Sequence, residues 1–201
     1  MAPLQLLITG FDPFGGEKIN PAWEAVCRLP EEIGLFQLHK LQIPTVFTLG
    51  AQAVLEAAER IQPDVILCVG QAGGRSAITP ERIAVNIRDA RIGDNQGNQP
   101  KGERILPQGP AAYFSTVDVD GMVREMEGAG IAAQASNSAG AFVCNDTLYR
   151  LLHRFDGSKT RVGFIHVPYL PVQATRGEPS MPLETMVAGL SAAIAGLQGD
   201  T

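Results

Sequence analysis

The chain is 201 residues long, 45% hydrophobic and 18% charged, with a formal net charge of −5. That profile suits one globular domain that buries its own core, and a chain with no block of Lys or Arg is not built for nucleic acid or an anionic membrane. Three cysteines with no CxxC spacing and three histidines with no HExxH spacing indicate neither a disulfide framework nor a metal, and a reducing cytoplasm as the setting.

The opening stretch, MAPLQLLITGFDPFGG, is too short and too poor in basic residues for a signal peptide or a membrane span. Within it LQLLIT (4–9) reads as a buried strand ending in glycine. NPAWEAVCRLP follows as a helix, with Asn20 as N-cap and Pro21 at the first helical position. A strand is predicted over 36–44, a helix over 48–61 and an apolar strand over 64–70. RIAVNIR (82–88) alternates and places Ile83, Val85 and Ile87 on one face. From Asp89 to about Pro110 the text is polar and rich in Gly, Gln and Pro, which predicts a long loop of the kind that often carries function. A helix over 119–128, a strand over 131–136, a helix starting near Cys144, a strand over 161–167 and a helix over 183–197 complete the chain. Strands alternating with helices predict a single-domain α/β fold with helices on both faces of a mostly parallel sheet, and ligands at the carboxyl ends of its strands.

Three residues satisfy that positional filter. In CNDTLYRLLHRF the residues Leu148, Leu151, Leu152 and Phe155 share a helical face, so Cys144 falls at the helix N-terminus behind a small-residue loop, SNSAG. Unpaired N–H groups there lower a thiol's pKa and can hold an oxyanion. Cys27 and Cys68 read as apolar filler, and residue types alone leave packing and chemistry equally open for Cys144. His166 ends the strand RVGFIHV, where a buried histidine bonded to a carbonyl is the plainer alternative. Glu81, in GQAGGRSAITPERIAVN, reads by itself as a solvated carboxylate or a partner of Arg82 or Arg75.

Taken together, GQAGGRSAITPERIAVN, SNSAGAFVCN and FIHVPYLP resemble the three signature segments of the pyroglutamyl-peptidase I (pyrrolidone-carboxylate peptidase) family of cysteine peptidases, in the family's order. LITGFDPFGGEKINPAWEAV is similar to that family's N-terminal strand and loop. The resemblance implies an α/β/α sandwich, release of N-terminal pyroglutamate from peptides, no cofactor, and a homo-oligomer (tetramer or dimer). It assigns Cys144 as nucleophile, His166 as base and Glu81 as the group that orients the base. Phe11 and Phe14 match the phenylalanines that clasp the lactam ring, Gln71 is a candidate for bonding the bound residue, and Arg91 for a place near the oxyanion. Two rival readings would not use Cys144 as a nucleophile: a nucleoside phosphorylase on a similar sandwich, and a binding module that keeps the pocket without turnover.

Overall fold

The structure, a computed structural model, describes residues 2–197. In chain order its elements are β1 (Leu4–Phe11), α1 (Pro21–Val26), β2 (Glu32–Ile33), β3 (Phe36–Ile43), α2 (Leu49–Ile61), β4 (Val65–Gln71), β5 (Thr79–Pro80), β6 (Ile83–Val85), β7 (Ala112–Phe114), α3 (Val119–Gly128), α4 (Val143–Arg154), β8 (Arg161–Val167) and α5 (Leu183–Gly196).

The main sheet runs β2-β3-β1-β4-β8-β5. Its four inner strands are parallel, while the short edge strands β2 and β5 are antiparallel to their neighbours. β4 is enclosed on both faces. Val65 to Gly70 are all buried, which is why VILCVG reads as an unbroken apolar run rather than an alternation. On one face Val65, Leu67 and Val69 pack with α1, α3 and α5; on the other Ile66 and Cys68 pack with α2 and α4. The result is the expected three-layer α/β/α sandwich with a mixed, mostly parallel sheet.

Local chemistry sets the helix starts. Asn20 Oδ1 accepts from the Ala22 N–H at 3.0 Å, with Pro21 following it at the first helical position. Asp118 caps α3 by accepting from the Gly121 N–H at 2.8 Å. α2 starts less comfortably, after Thr48 at φ +68°, a backbone conformation a β-branched residue rarely adopts. Two bonds hold it there: the Thr48 N–H donates to Asp146 Oδ2 at 2.9 Å, and Arg88 Nη2 donates to Thr48 Oγ1 at 2.7 Å.

Two expectations need correction. Residues 131–136 are not a strand of the main sheet. They run beside 78–82 through isolated parallel bridges, Ile78 to Ala133 and Glu81 to Ser136. In 82–88 only Ile83–Val85 is strand, paired with β7 in a separate ribbon. The face that packs inward there belongs to the small Ala84, fully buried beneath α4, while Ile83 and Val85 are half-buried and Ile87 is exposed. The 89–110 segment does lack regular structure, yet it is tied down. Buried Asp94 accepts from the N–H groups of Phe47, Gln96 and Asn98, and Asn86 bonds Leu106 and Gly109.

Candidate active site

β1 passes first to β3 on one side and the chain later returns as β4 on the other, so a crevice opens beyond the carboxyl ends of β1 and β4. A cavity of about 470 Å³ occupies it. Phe11 at the end of β1, Phe14 in the loop beyond, Gln71 at the end of β4, Arg91 from the long loop, Cys144 and His166 all line it. Six of the seven residues singled out in the sequence therefore face one space. The seventh, Glu81, lies behind it, fully buried, and touches the site through His166.

His166 Nδ1 and Glu81 Oε1 are 2.7 Å apart, so the Nδ1–H donates to the carboxylate and Nε2 is left as the basic nitrogen. The same Oε1 accepts from Arg75 Nη1 at 2.6 Å. Arg75 also donates to Thr79 Oγ1 and, at 3.0 Å, to the Ser138 carbonyl. One guanidinium thus braces the carboxylate, the edge strand β5 and the small-residue loop before α4. Of the two arginines considered as partners for Glu81, Arg75 is the one that pairs with it; Arg82 pairs with Asp120.

Cys144 is the second residue of α4. The N–H groups of this first turn have no acceptor within the helix and are directed at the cavity end of the element. The next two residues fasten the turn. Asn145, fully buried, accepts from the Val85 N–H at 2.9 Å and donates to the carbonyls of Val85 and Ile87 at 2.8 and 3.1 Å. Asp146 accepts from Thr48 N–H, from Arg88 Nε at 2.7 Å and from Arg150 Nε. The sequence reading named Arg75 only as an ion partner of Glu81, and it missed Asn145 and Asp146 as contributors to the site. The only available signal for those two was their place beside Cys144 in the chain.

His166 stands in register with Gly70 on the neighbouring strand. A Cβ added to Gly70 would lie 2.9 Å from Cys144 Sγ and 2.8 Å from Phe164 Cζ. The Phe164 and His166 rings are 4.8 Å apart. Thiol, Phe164 and imidazole therefore gather on one face of the β4–β8 pair. No hydrogen bond joins Cys144 Sγ to His166. Aromatic rings enclose the rest: Phe142 meets Phe14 at 6.0 Å and Phe47 at 5.3 Å, and Phe11 meets Phe164 at 6.2 Å.

The electrostatics overturn one expectation. Burial, then the Glu81 charge and the nearby Cys68, push the Cys144 thiol up to about 12; Arg75 and the thiol's own backbone N–H pull the other way and lose. A helix N-terminus does not outweigh desolvation here. Burial also holds His166 below the ordinary imidazole range against the pull of Glu81, with Arg75 adding to the lowering. Burial raises Glu81, but hydrogen bonds from His166, Ser136 and Arg75 and the His166 charge outweigh it and leave the carboxyl below its usual range. The resting site is a neutral thiol, a neutral imidazole and a carboxylate. Cys68 is buried filler as expected, with its thiol raised to about 12 by burial. Cys27 is not: it caps α1 in an exposed position because the helix ends there and turns its side chain outward.

A family model described as pyroglutamyl peptidase matches residues 4–198. The pyrrolidone-carboxylate peptidase of Bacillus licheniformis is 52% identical over 190 residues, covering 92% of this chain and 88% of that protein. That of Lactobacillus helveticus is 50% identical, covering 95% and 97%. Among solved structures, pyroglutamyl peptidase I of Bacillus amyloliquefaciens superposes with a TM-score of 0.92 at 46% identity, covering 98% of this chain and 97% of that one. A mutant pyrrolidone carboxyl peptidase of Pyrococcus furiosus gives 0.92 at 40% identity, covering 98% and 99%. With its fold and its sequence agreeing over nearly their whole length, the chain belongs to the pyroglutamyl peptidase family of cysteine peptidases.

Proposed function

We propose that this chain releases the N-terminal pyroglutamyl residue of peptides with Cys144 as nucleophile, His166 as general base and acid, and Glu81 as the group that orients the imidazole. The observation that carries the reading is the 2.7 Å Glu81–His166 bond set behind a cavity whose wall holds Cys144 at the start of α4. His166 Nε2 takes the thiol proton as sulfur attacks the pyroglutamyl carbonyl carbon. The carbonyl electron pair moves to oxygen, held by first-turn N–H groups of α4, with Arg91 on the same rim. Collapse breaks the C–N bond, His166 gives its proton to the leaving amine, and a thioester remains on Cys144. His166 then takes a proton from water, whose oxygen attacks the thioester, and pyroglutamate leaves as the thiol is restored.

Phe11 and Phe14 form the apolar walls for a flat lactam ring, and Gln71 supplies a polar contact to it. Every group the scheme needs is a side chain or backbone N–H, so it calls on no cofactor. The 201 residues act as one peptidase domain, in the cytoplasm, as a homo-oligomer like the family it resembles. Among the described residues no helix is long and apolar enough to cross a membrane.

Release of the fluorophore from a pyroglutamyl-aminomethylcoumarin amide tests the reading. Cys144→Ala should lower kcat by on the order of 10⁴-fold or more, with thermal stability kept. Full turnover by that variant would end the proposal.

A further inference from the structure

Gln71 enters the pocket with a side chain whose two ends are nearly alike in shape and opposite in chemistry. Its oxygen accepts and its nitrogen donates, so the way the amide is turned decides what it can recognise. A second amide decides the turn. Gln173, buried in the loop after β8, accepts the Leu170 backbone N–H on its Oε1 at 3.0 Å. A backbone N–H can only donate, so that bond fixes which end of Gln173 is oxygen. Its nitrogen must then point the other way, and Gln173 Nε2 donates to Gln71 Oε1 at 3.1 Å. Gln71 is left with its Nε2, which makes no hydrogen bond among the described residues, as the uncommitted end of a side chain that lines the cavity.

The loop that carries Gln173 is fixed at both levels. The Gln173 N–H donates to the Leu170 carbonyl at 2.9 Å, closing a tight turn, and Ala72 N–H donates to the Val167 carbonyl at 2.9 Å. Gly73 has no side chain because one would run into the Tyr169 ring. The 168–173 segment is therefore laid against the end of β4, and the two amides meet inside that contact.

We propose that Gln173 is a specificity-setting residue: by locking the Gln71 amide with its N–H₂ end free, it makes the pocket a donor for the lactam carbonyl. This rests on the pyroglutamyl-peptidase reading above. A pyroglutamyl ring carries a carbonyl where a prolyl ring carries a methylene, so a fixed donor favours the first and gains nothing from the second. A pocket whose donor is left unpaired by the wrong ligand discriminates more sharply than an apolar wall does.

Gln173→Glu is the informative substitution. The introduced carboxylate still accepts the Leu170 N–H on one oxygen, but its other oxygen can only accept, so Gln71 must turn its nitrogen toward it and present Oε1 to the cavity. Gln173→Met removes the instruction without reversing it. The expected loss in kcat/KM for the pyroglutamyl amide is on the order of tenfold for Met and a hundredfold for Glu. The Glu loss should shrink at acid pH, where a protonated carboxyl can again donate to Gln71. In a Gln71→Leu background both Gln173 substitutions should add almost nothing, because the relay has no other outlet. A binding readout independent of turnover is protection of Cys144 from alkylation by 2-pyrrolidone, with pyrrolidine as the ring lacking the carbonyl. Protection by the lactam should need a higher concentration in Gln173→Glu, and pyrrolidine should protect none of the variants.

Wild-type kcat/KM in Gln173→Glu, or an equal loss with Gln71 already replaced, would overturn the relay. Failure of the unsubstituted chain to release pyroglutamate would instead overturn the functional reading beneath it.

Discussion

Gly70 lacks a side chain at the one place where Cys144 needs room for its own: a Cβ there would stand 2.9 Å from Cys144 Sγ. It would also stand 2.8 Å from Phe164 Cζ, so neither neighbour can give way without moving the other. Gly70→Ala should therefore push the thiol out of line with His166 while leaving every charge intact. A displacement near 1 Å lowers kcat by on the order of 10²-fold, and overpacking costs about 1–3 kcal/mol. Steady-state kinetics beside a melting curve measures both. Unchanged kcat in a folded Gly70→Ala protein would show that the thiol has slack.

A neutral resting thiol gives a distinctive pH signature. With Cys144 raised to about 12 by burial and the Glu81 charge, its alkylation by iodoacetamide should climb steadily above pH 9 rather than level off in the acid range. The acid limb of kcat/KM should report His166, which burial holds below its ordinary value of 6.5, so turnover persists into mildly acid solution. A thiol titrating near neutrality would contradict this and indicate a standing thiolate–imidazolium pair.

Both buried partners of the site make the fold acid-sensitive in the same direction. His166 is lowered on folding, so the unfolded chain binds its proton first and stability falls as pH drops below 6.5 toward the folded value. Glu81 is also lowered, so its contribution is present above 4.5 and is lost as pH falls through its folded value. Melting temperatures measured from pH 8 to pH 3 should decline through both windows. His166→Phe should flatten the upper one.

Arg75 is expected to act through Glu81 and His166 rather than on substrate. Its charge is one of the influences holding His166 low, so Arg75→Gln should move the acid limb of kcat/KM to higher pH. Loss of a charge-assisted bond to Glu81, worth about 1.5–3 kcal/mol, should lower kcat by roughly tenfold or more. Arg75→Lys keeps the charge but not the fork that reaches Thr79, Glu81 and Ser138 together, and should restore the limb better than the rate. A limb that stays in place in Arg75→Gln would reduce the residue to a loop brace.

How much of this was legible beforehand follows from what kind of signal each feature leaves. Continuous apolar text marked β4 and the cap residues Asn20 and Pro21 marked α1, because burial and N–H satisfaction act on residues close in the chain. The pocket residues were legible through resemblance, and the sheet topology then explains why Phe11, Gln71 and His166 meet. β5 and β7, two and three residues long, leave no period to read. Ala84 misled because a small inward residue beside larger outward ones inverts the usual pattern. The thiol pKa could not be read at all, since it depends on how deeply α4 is set, and that is a property of packing.

Asn145 adjoins Cys144 and clamps Val85, which lies four residues along the same short stretch from Glu81. The nucleophile and the carboxylate that serves its base are consequently parts of one braced block, joined through the chain on one side and through a buried amide on the other. There is no hinge between them to open. Motion that admits a peptide has to arise from the rim, in the Phe14 loop and the exposed residues around Arg91, where sequence can drift toward different leaving peptides without disturbing the chemistry beneath.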